Sequence, residues 1–374
     1  MKDNGDWQMV TSENSGLPAN HVTGIAEDGA GNLWFATYGG GLCRRSADGK
    51  DWQTYRAAAG SLANDYVGMV TVDAAEQVWA VCDAYELEDN AYPGGLCALS
   101  PDGTWQVYPR AAGEDCVLAL EADRQGRLWL RTGGLMVSGG TTQCDGMREG
   151  PSRFGGSQWQ AFDGTTWTAY DEDRAAAAAW YPHRSQRTRL GWEVVGDTMW
   201  LLEAVQFAST SGTGLLPGLN MSMIPGMGSF MYDYCLTTYD GREWKKQTDL
   251  PSAFRFGELV VDRRGDKWVS LVTLGDIVMG GGVGRFDGQE WTVYNRSTGL
   301  PSDYVAALST DSRGNVWVST MMGDLSRWDG SGWTYLPGRQ GGRGDQDLGR
   351  CAEDRQGQLW FPSKAGVLVY MGNA

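Results

Sequence analysis

The chain has 374 residues, 41% hydrophobic and 21% charged, with a formal net charge of −15. That composition is globular, and no run approaches the ~18 consecutive apolar residues of a membrane span. The acidic surface disfavours nucleic acid and anionic membranes as partners.

Residues 1–7, Met-Lys-Asp-Asn-Gly-Asp-Trp, lack the apolar core of a signal peptide, so a cytoplasmic location is expected. Cysteines stand at 43, 82, 97, 116, 144, 235 and 351, an odd number with no C-x-x-C pair. Zinc-ribbon and thioredoxin-type motifs are therefore absent. Several of these cysteines fall in apolar runs and read as small buried hydrophobes, which leans towards a reducing compartment.

Taken in chain order, two units alternate. The first is Asp28-Gly-Ala-Gly31-Asn-Leu-Trp34, then a worn copy Asp73-Ala-Ala-Glu76-Gln-Val-Trp79, then Asp123-Arg-Gln-Gly126-Arg-Leu-Trp129. A weak copy ends at Trp200, and full copies return at Asp262 to Trp268, Asp311 to Trp317 and Asp354 to Trp360. The second unit is Asp-Gly followed by Trp, at Trp52, Trp105, Trp167, Trp244, Trp291 and Trp333. None follows Trp360. The missing piece stands at the other end of the chain, as Asn4-Gly5-Asp6-Trp7.

Short apolar runs rich in β-branched and aromatic residues flank each unit and read as strands. The Asp carboxylate accepts turn amides and the Gly takes positive φ, so each unit is a tight hairpin. Every repeat thus supplies four antiparallel strands, a to d. Self-similarity at this period predicts an all-β, seven-bladed propeller whose ring is closed by the N-terminal strand. The expected blades, all in a single domain 1–374, are 20–55, 64–108, 115–170, 190–247, 254–294, 302–335, and 347–370 with 5–10.

Gly299-Leu-Pro-Ser-Asp303-Tyr-Val305, followed by Asp311-Ser-Arg-Gly314-Asn-Val-Trp317, resembles the two-component regulator propeller repeat, as does Gly16-Leu-Pro-Ala-Asn-His-Val22. The resemblance implies the ligand-sensing part of a hybrid sensor kinase, although neither a kinase nor a DNA-binding helix is present here. More distantly, the repeat is similar to streptogramin lyases, propellers that use a histidine and a metal ion. No motif here matches their catalytic histidine.

All a–b and c–d turns are short. The insertions at 83–93, 136–158, 171–190, 205–234 and 271–282 fall in b–c or d–a connections, so they belong to one face. Long loops on a rigid scaffold are where binding concentrates. The 205–234 insertion is Met-rich, with Met223, Phe230 and Tyr232, and reads as a channel plug, an adaptable partner surface or a soft-metal site. The 171–190 insertion holds Trp180, Tyr181 and His183 beside arginines, which suits a polar aromatic ligand, a sugar or a protein hot spot. Asp83, Glu86, Glu88 and Asp89 form an acidic loop without EF-hand spacing.

Just before strand a stand His21, Tyr66, Cys116, Arg255 and Tyr304. His, Tyr and Arg there suit a small ligand at the channel mouth. No nucleophile elbow, phosphate loop or H-E-x-x-H motif occurs. The expectation is a non-catalytic module that binds a protein partner or a small-molecule or carbohydrate ligand, without cofactor or metal. The alternative is a lyase or hydrolase using His21 or His183 as general base.

Overall fold

The computed structural model describes residues 7–372, except 84, 88–89, 93, 110–115, 123–126, 134, 139–140, 145–157, 163–165, 171–183, 196–197, 209–229, 240–243, 250–253, 275–277, 321–322 and 337–347. It is all-β: among the described residues the only helical turns are two 3₁₀ segments, Ala57–Ala59 and Arg296–Thr298.

Seven four-stranded antiparallel sheets form a seven-bladed propeller, and each sheet takes its strands in the order a-b-c-d. Blade 1 is Val22–Glu27, Leu33–Thr37, Gly41–Arg45 and Trp52–Tyr55; blade 2 is Val67–Val72, Val78–Cys82, Gly95–Leu99 and Trp105–Pro109. Blade 3 is Cys116–Ala122, Leu128–Gly133, Gln158–Phe162 and Trp167–Tyr170; blade 4 is Arg184–Val195, Thr198–Ala208, Phe230–Tyr239 and Trp244–Asp249. Blade 5 is Phe254–Val261, Lys267–Leu274, Val278–Phe286 and Trp291–Tyr294; blade 6 is Val305–Thr310, Val316–Thr320, Leu325–Trp328 and Trp333–Leu336. Blade 7 takes Ala352–Glu353, Leu359–Ser363 and Gly366–Tyr370, and its fourth strand is Trp7–Val10, with Trp7 opposite Tyr370 and Val10 opposite Val367.

The chain divides into two compact units, Met1–Asp171 with Ser309–Ala374, and Glu172–Leu308. In the first, blade 7 meets blade 1 through a core of Trp360, Val367 and Val369 against Val22, Leu33 and Phe35.

The turn chemistry explains the repeat. Asp28 Oδ1 accepts from the amides of Ala30 (3.0 Å) and Asn32 (2.8 Å), while its Oδ2 accepts from the Trp34 indole N–H at 2.9 Å. The same Asp-to-indole bond joins Asp73 to Trp79, Asp262 to Trp268, Asp311 to Trp317 and Asp354 to Trp360, at 2.8–3.0 Å. One carboxylate therefore shapes the a–b turn and fixes the side chain that fills the space between blades. Trp34 packs with Val67, Val78 and Cys97 of blade 2. Trp79 packs with Val117, Leu128 and Phe162 of blade 3. Burying an indole removes ~150–250 Å² from water, a gross gain of about 4–6 kcal/mol.

The worn copy carries Glu76 where the full copies have Gly, and Glu76 adopts φ +63°. Its strain is offset by the carboxylate, which accepts the Gly29 amide of blade 1. Blade 4, without the Asp, leaves Trp200 half-buried under the Lys267 ammonium, 4.1 Å from its ring centroid.

The insertions lie in b–c and d–a connections, as expected, but much of their length is strand. Tyr85–Leu87 pairs with Asn90–Tyr92, and Leu135–Ser138 with Thr141–Cys144. Strands a to c of blade 4 run to 12, 11 and 10 residues, against 6, 5 and 5 in blade 1. Phe230 and Tyr232 thus sit in a ladder, opposite Ala208 and Gln206, because aromatic residues at every second position, Phe230, Tyr232 and Tyr234, continue the pairing past the blade's usual edge.

Candidate ligand site at the rim of blades 1 and 2

His21 and Tyr66 stand immediately before strand a of blades 1 and 2, and Tyr304 holds the same place in blade 6. The structure brings the first two together through a residue that the motif reading passed over. Tyr38, one residue past strand b of blade 1, stacks its ring 5.2 Å from His21 and 4.8 Å from Tyr66. The Tyr38–Tyr66 pair is edge-to-face, at 80° between ring planes, and the two residues also form a β-bridge. The Tyr38 amide donates to the His21 carbonyl at 2.8 Å.

The platform is tied down on both sides. Asp65 accepts from the Gly39 and Gly41 amides through its carbonyl, at 3.0 and 2.9 Å, and its carboxylate meets Arg56 at 3.2 Å. Gly39 and Gly41 adopt φ +86° and +82°, which lets the b–c turn of blade 1 close against this carbonyl. Asn64 is buried; its Oδ1 accepts from the Tyr66 amide (2.8 Å) and its Nδ2 donates to the Asp83 carbonyl (2.7 Å).

Asp83 is the fourth member. It follows strand b of blade 2, and its amide donates to the Tyr66 carbonyl at 2.9 Å. Its carboxylate is half-buried and makes no ion pair or hydrogen bond among the described residues. Burial pushes its pKa up to about 6. The same burial raises the Tyr38 phenol, and the charges of Asp83 and Tyr66 raise it further. Burial lowers the His21 pKa, and Lys364, in the b–c turn of blade 7, lowers it again. Strand a of blade 2 has a bulge at Gly68, where a Cβ would lie 2.8 Å from Asp83 Oδ2, so glycine clears the room the carboxylate occupies.

The remaining expected residues divide. Tyr304 is 43% exposed and its amide donates to Ser302 Oγ. Arg255 lies inside its strand rather than before it, opposite Val272, since strand a of blade 5 begins at Phe254. Trp180, Tyr181, His183 and Met223 lie outside the described residues. Tyr38 and Asp83 were missed as partners of His21 and Tyr66. The signal that finds them is the register: each stands four residues after an inner Trp, at Trp34 and Trp79.

Two segments, residues 16–39 and 299–322, match the two component regulator propeller family. No curated protein matches the chain. Among solved structures, the extracellular domain of a hybrid two component system from B. thetaiotaomicron aligns at TM-score 0.61 and 16% identity, over 98% of this chain and 41% of that one. The chain therefore spans about two fifths of that relative's length. A streptogramin B lyase aligns at TM-score 0.59 and 13% identity, over 97% and 96% of the two chains. YCF48 bound to D1 peptide aligns at 0.58 and 13%, over 99% and 98%. At these identities the likeness is one of fold. No helix among the described residues is long and apolar enough to cross a membrane.

Proposed function

We propose that this propeller is a non-catalytic ligand-binding module, and that its site is the rim of blades 1 and 2 where their b–c connections meet the starts of their strands a. One observation carries the reading: Asp83 presents a carboxylate that is unpaired among the described residues, beside the edge-to-face rings of Tyr38 and Tyr66. A half-buried charge without a partner is destabilising, and a chain keeps such a group where a ligand completes it. The rigid backbone around it supplies preorganisation. The adjoining b–c insertion of blade 2, with the pair Tyr85–Leu87 and Asn90–Tyr92, extends the surface available to a peptide or larger ligand. That the neighbours in fold include a domain of a two component system and a peptide-bound protein is consistent with binding.

The test is a thermal-shift screen with amines, sugars, peptides and organic acids, run in parallel on wild type and on the Asp83→Asn and Tyr66→Ala variants. A ligand that shifts wild type but neither variant supports the rim. Ligand responses identical in all three proteins would place the site elsewhere.

A second reading rests on His21, whose pKa burial and Lys364 lower. It is a lyase or hydrolase with His21 as general base at the same rim. A turnover that survives His21→Ala unchanged rules that reading out.

A further inference from the structure

We infer that the occupant of this rim carries an organic ammonium group, paired with the Asp83 carboxylate and seated against the faces of Tyr38 and Tyr66. This deepens the reading above and rests on it.

Four observations converge. First, among the described residues no cation pairs with the Asp83 carboxylate. Arg56, on the nearby chain, is engaged by Asp65 at 3.2 Å, and Lys364 acts on His21. Second, the two tyrosine rings meet at 80° with centroids 4.8 Å apart, so they form two walls of a corner rather than a stack. A cation within ~6 Å of a ring centroid is attracted to the ring face, and quaternary and primary ammonium groups are recognised in such corners. Third, the ionised Asp83 carboxylate offers acceptors only, so it selects a ligand that brings donors or positive charge, and with a net charge of −15 the chain disfavours anions.

Fourth, the carboxylate has been given space at some cost. Gly68 leaves the bulge open, and burial holds the group partly protonated near neutral pH. An ammonium restores the ionised form when it binds. A hard divalent ion fits less well, because it needs several oxygen ligands. Among the described residues no three His, Cys, Asp or Glu side chains gather as a metal would need.

The ammonium has two chemical sources, a free small amine or a lysine side chain of a peptide. Isothermal titration with tetramethylammonium, with putrescine and with a lysine-bearing pentapeptide separates them, with glucose and acetate as controls. At least one amine probe is expected to bind wild type, at least tenfold more weakly to Asp83→Asn and several-fold more weakly to Tyr66→Leu. Tyr66→Phe, which keeps the ring, should bind as wild type does. Gly68→Ala, which keeps the charge but displaces the carboxylate, should weaken binding as Asp83→Asn does.

Binding by putrescine or tetramethylammonium assigns a small amine, and binding by the peptide alone assigns a lysine. If none of the three binds, or if Asp83→Asn binds them equally well, the inference is overturned. Should glucose bind with sensitivity to Asp83→Asn while no amine does, the ammonium inference fails and the rim reading stands. If glucose or acetate binds with no sensitivity to Asp83→Asn or Tyr66→Leu and no amine binds, both fail.

Discussion

Replacing Asp83 with Asn should make the protein more stable at neutral pH. The carboxyl titrates at about 6 in the folded chain against 3.8 for the free group. Its folded pKa is raised, so between those values the folded state binds the extra proton. The destabilisation is absent below about pH 3.8, grows as pH rises through the folded pKa and is complete above about 7. At about 1.4 kcal/mol per pKa unit the upper bound is about 3 kcal/mol. Solvent reaches the half-buried group, so about 1–2 kcal/mol is expected. Asn is near in size and carries no charge, and any cost of its amide is independent of pH. Urea unfolding of both proteins at pH 4 and pH 8 isolates the difference. His21 is common to both chains, so its contribution cancels. A stability difference that stays constant between pH 4 and pH 8 would refute the argument that the Asp83 charge is uncompensated.

Three further outcomes follow from the packing. Trp7→Ala removes a ring 4.7 Å from Tyr370 and 6.4 Å from Phe361, and a loss of about 2 kcal/mol is expected for this half-buried site in denaturant unfolding; an unchanged midpoint would mean the closing strand contributes little. Trp360→Phe should cost about 3 kcal/mol, because Asp354 Oδ2 loses its indole partner, and Trp317→Phe about 1 kcal/mol less, because Asn315 Nδ2 still donates to Asp311 Oδ2 at 2.7 Å. Equal losses for the two would show that the indole bond does not set the cost. Cys82 and Cys97 approach to 3.8 Å between sulfurs but sit diagonally across strands b and c, since Cys82 faces Gly95 and Cys97 faces Ala80. Diagonal Cα atoms are ~7–8 Å apart, too far for a disulfide without backbone movement. Their hydrogen bond, with burial, also pushes the Cys97 thiol up, so differential alkylation with mass spectrometry after mild oxidation should find both free.

The blades were legible because their chemistry is local. An Asp that accepts amides two and four residues on, and a Gly at positive φ, are written within five residues, and Asp28 to Asn32 shows both. The indole bond of the same Asp was not legible, because it needs strand b folded back over the turn. Blade 4 was the hardest to place, and the reason is visible: without the Asp, Trp200 is half-buried beneath Lys267. At the rim, His21 and Tyr66 could be found from where strand a begins. Asp83 could not. In the sequence it reads as the first member of an acidic loop, whereas in the fold it directly follows strand b, beside Tyr66 and Gly68 of its own blade and Tyr38 of blade 1.

The register that holds Tyr38 and Asp83 explains why the fold leaves these positions to function. The inner Trp is fixed by its Asp, and the residues just after it complete strand b. The residue four past the Trp lies beyond that demand in the blades with short strands. Along the chain this place is held by Tyr38, Asp83, Gly133, Ala204, Val272, Met321 and Lys364. No common chemistry links them, although the Trp before each is constant. In blades 7, 1 and 2 this place lies just past strand b, free of the ladder, and there it holds a cation, an aromatic and an anion. In blade 2 the chosen residue lowers stability, and the glycine at 68 makes room for it. Packing alone favours an uncharged side chain at residue 83, so the presence of a carboxylate there points to what it binds.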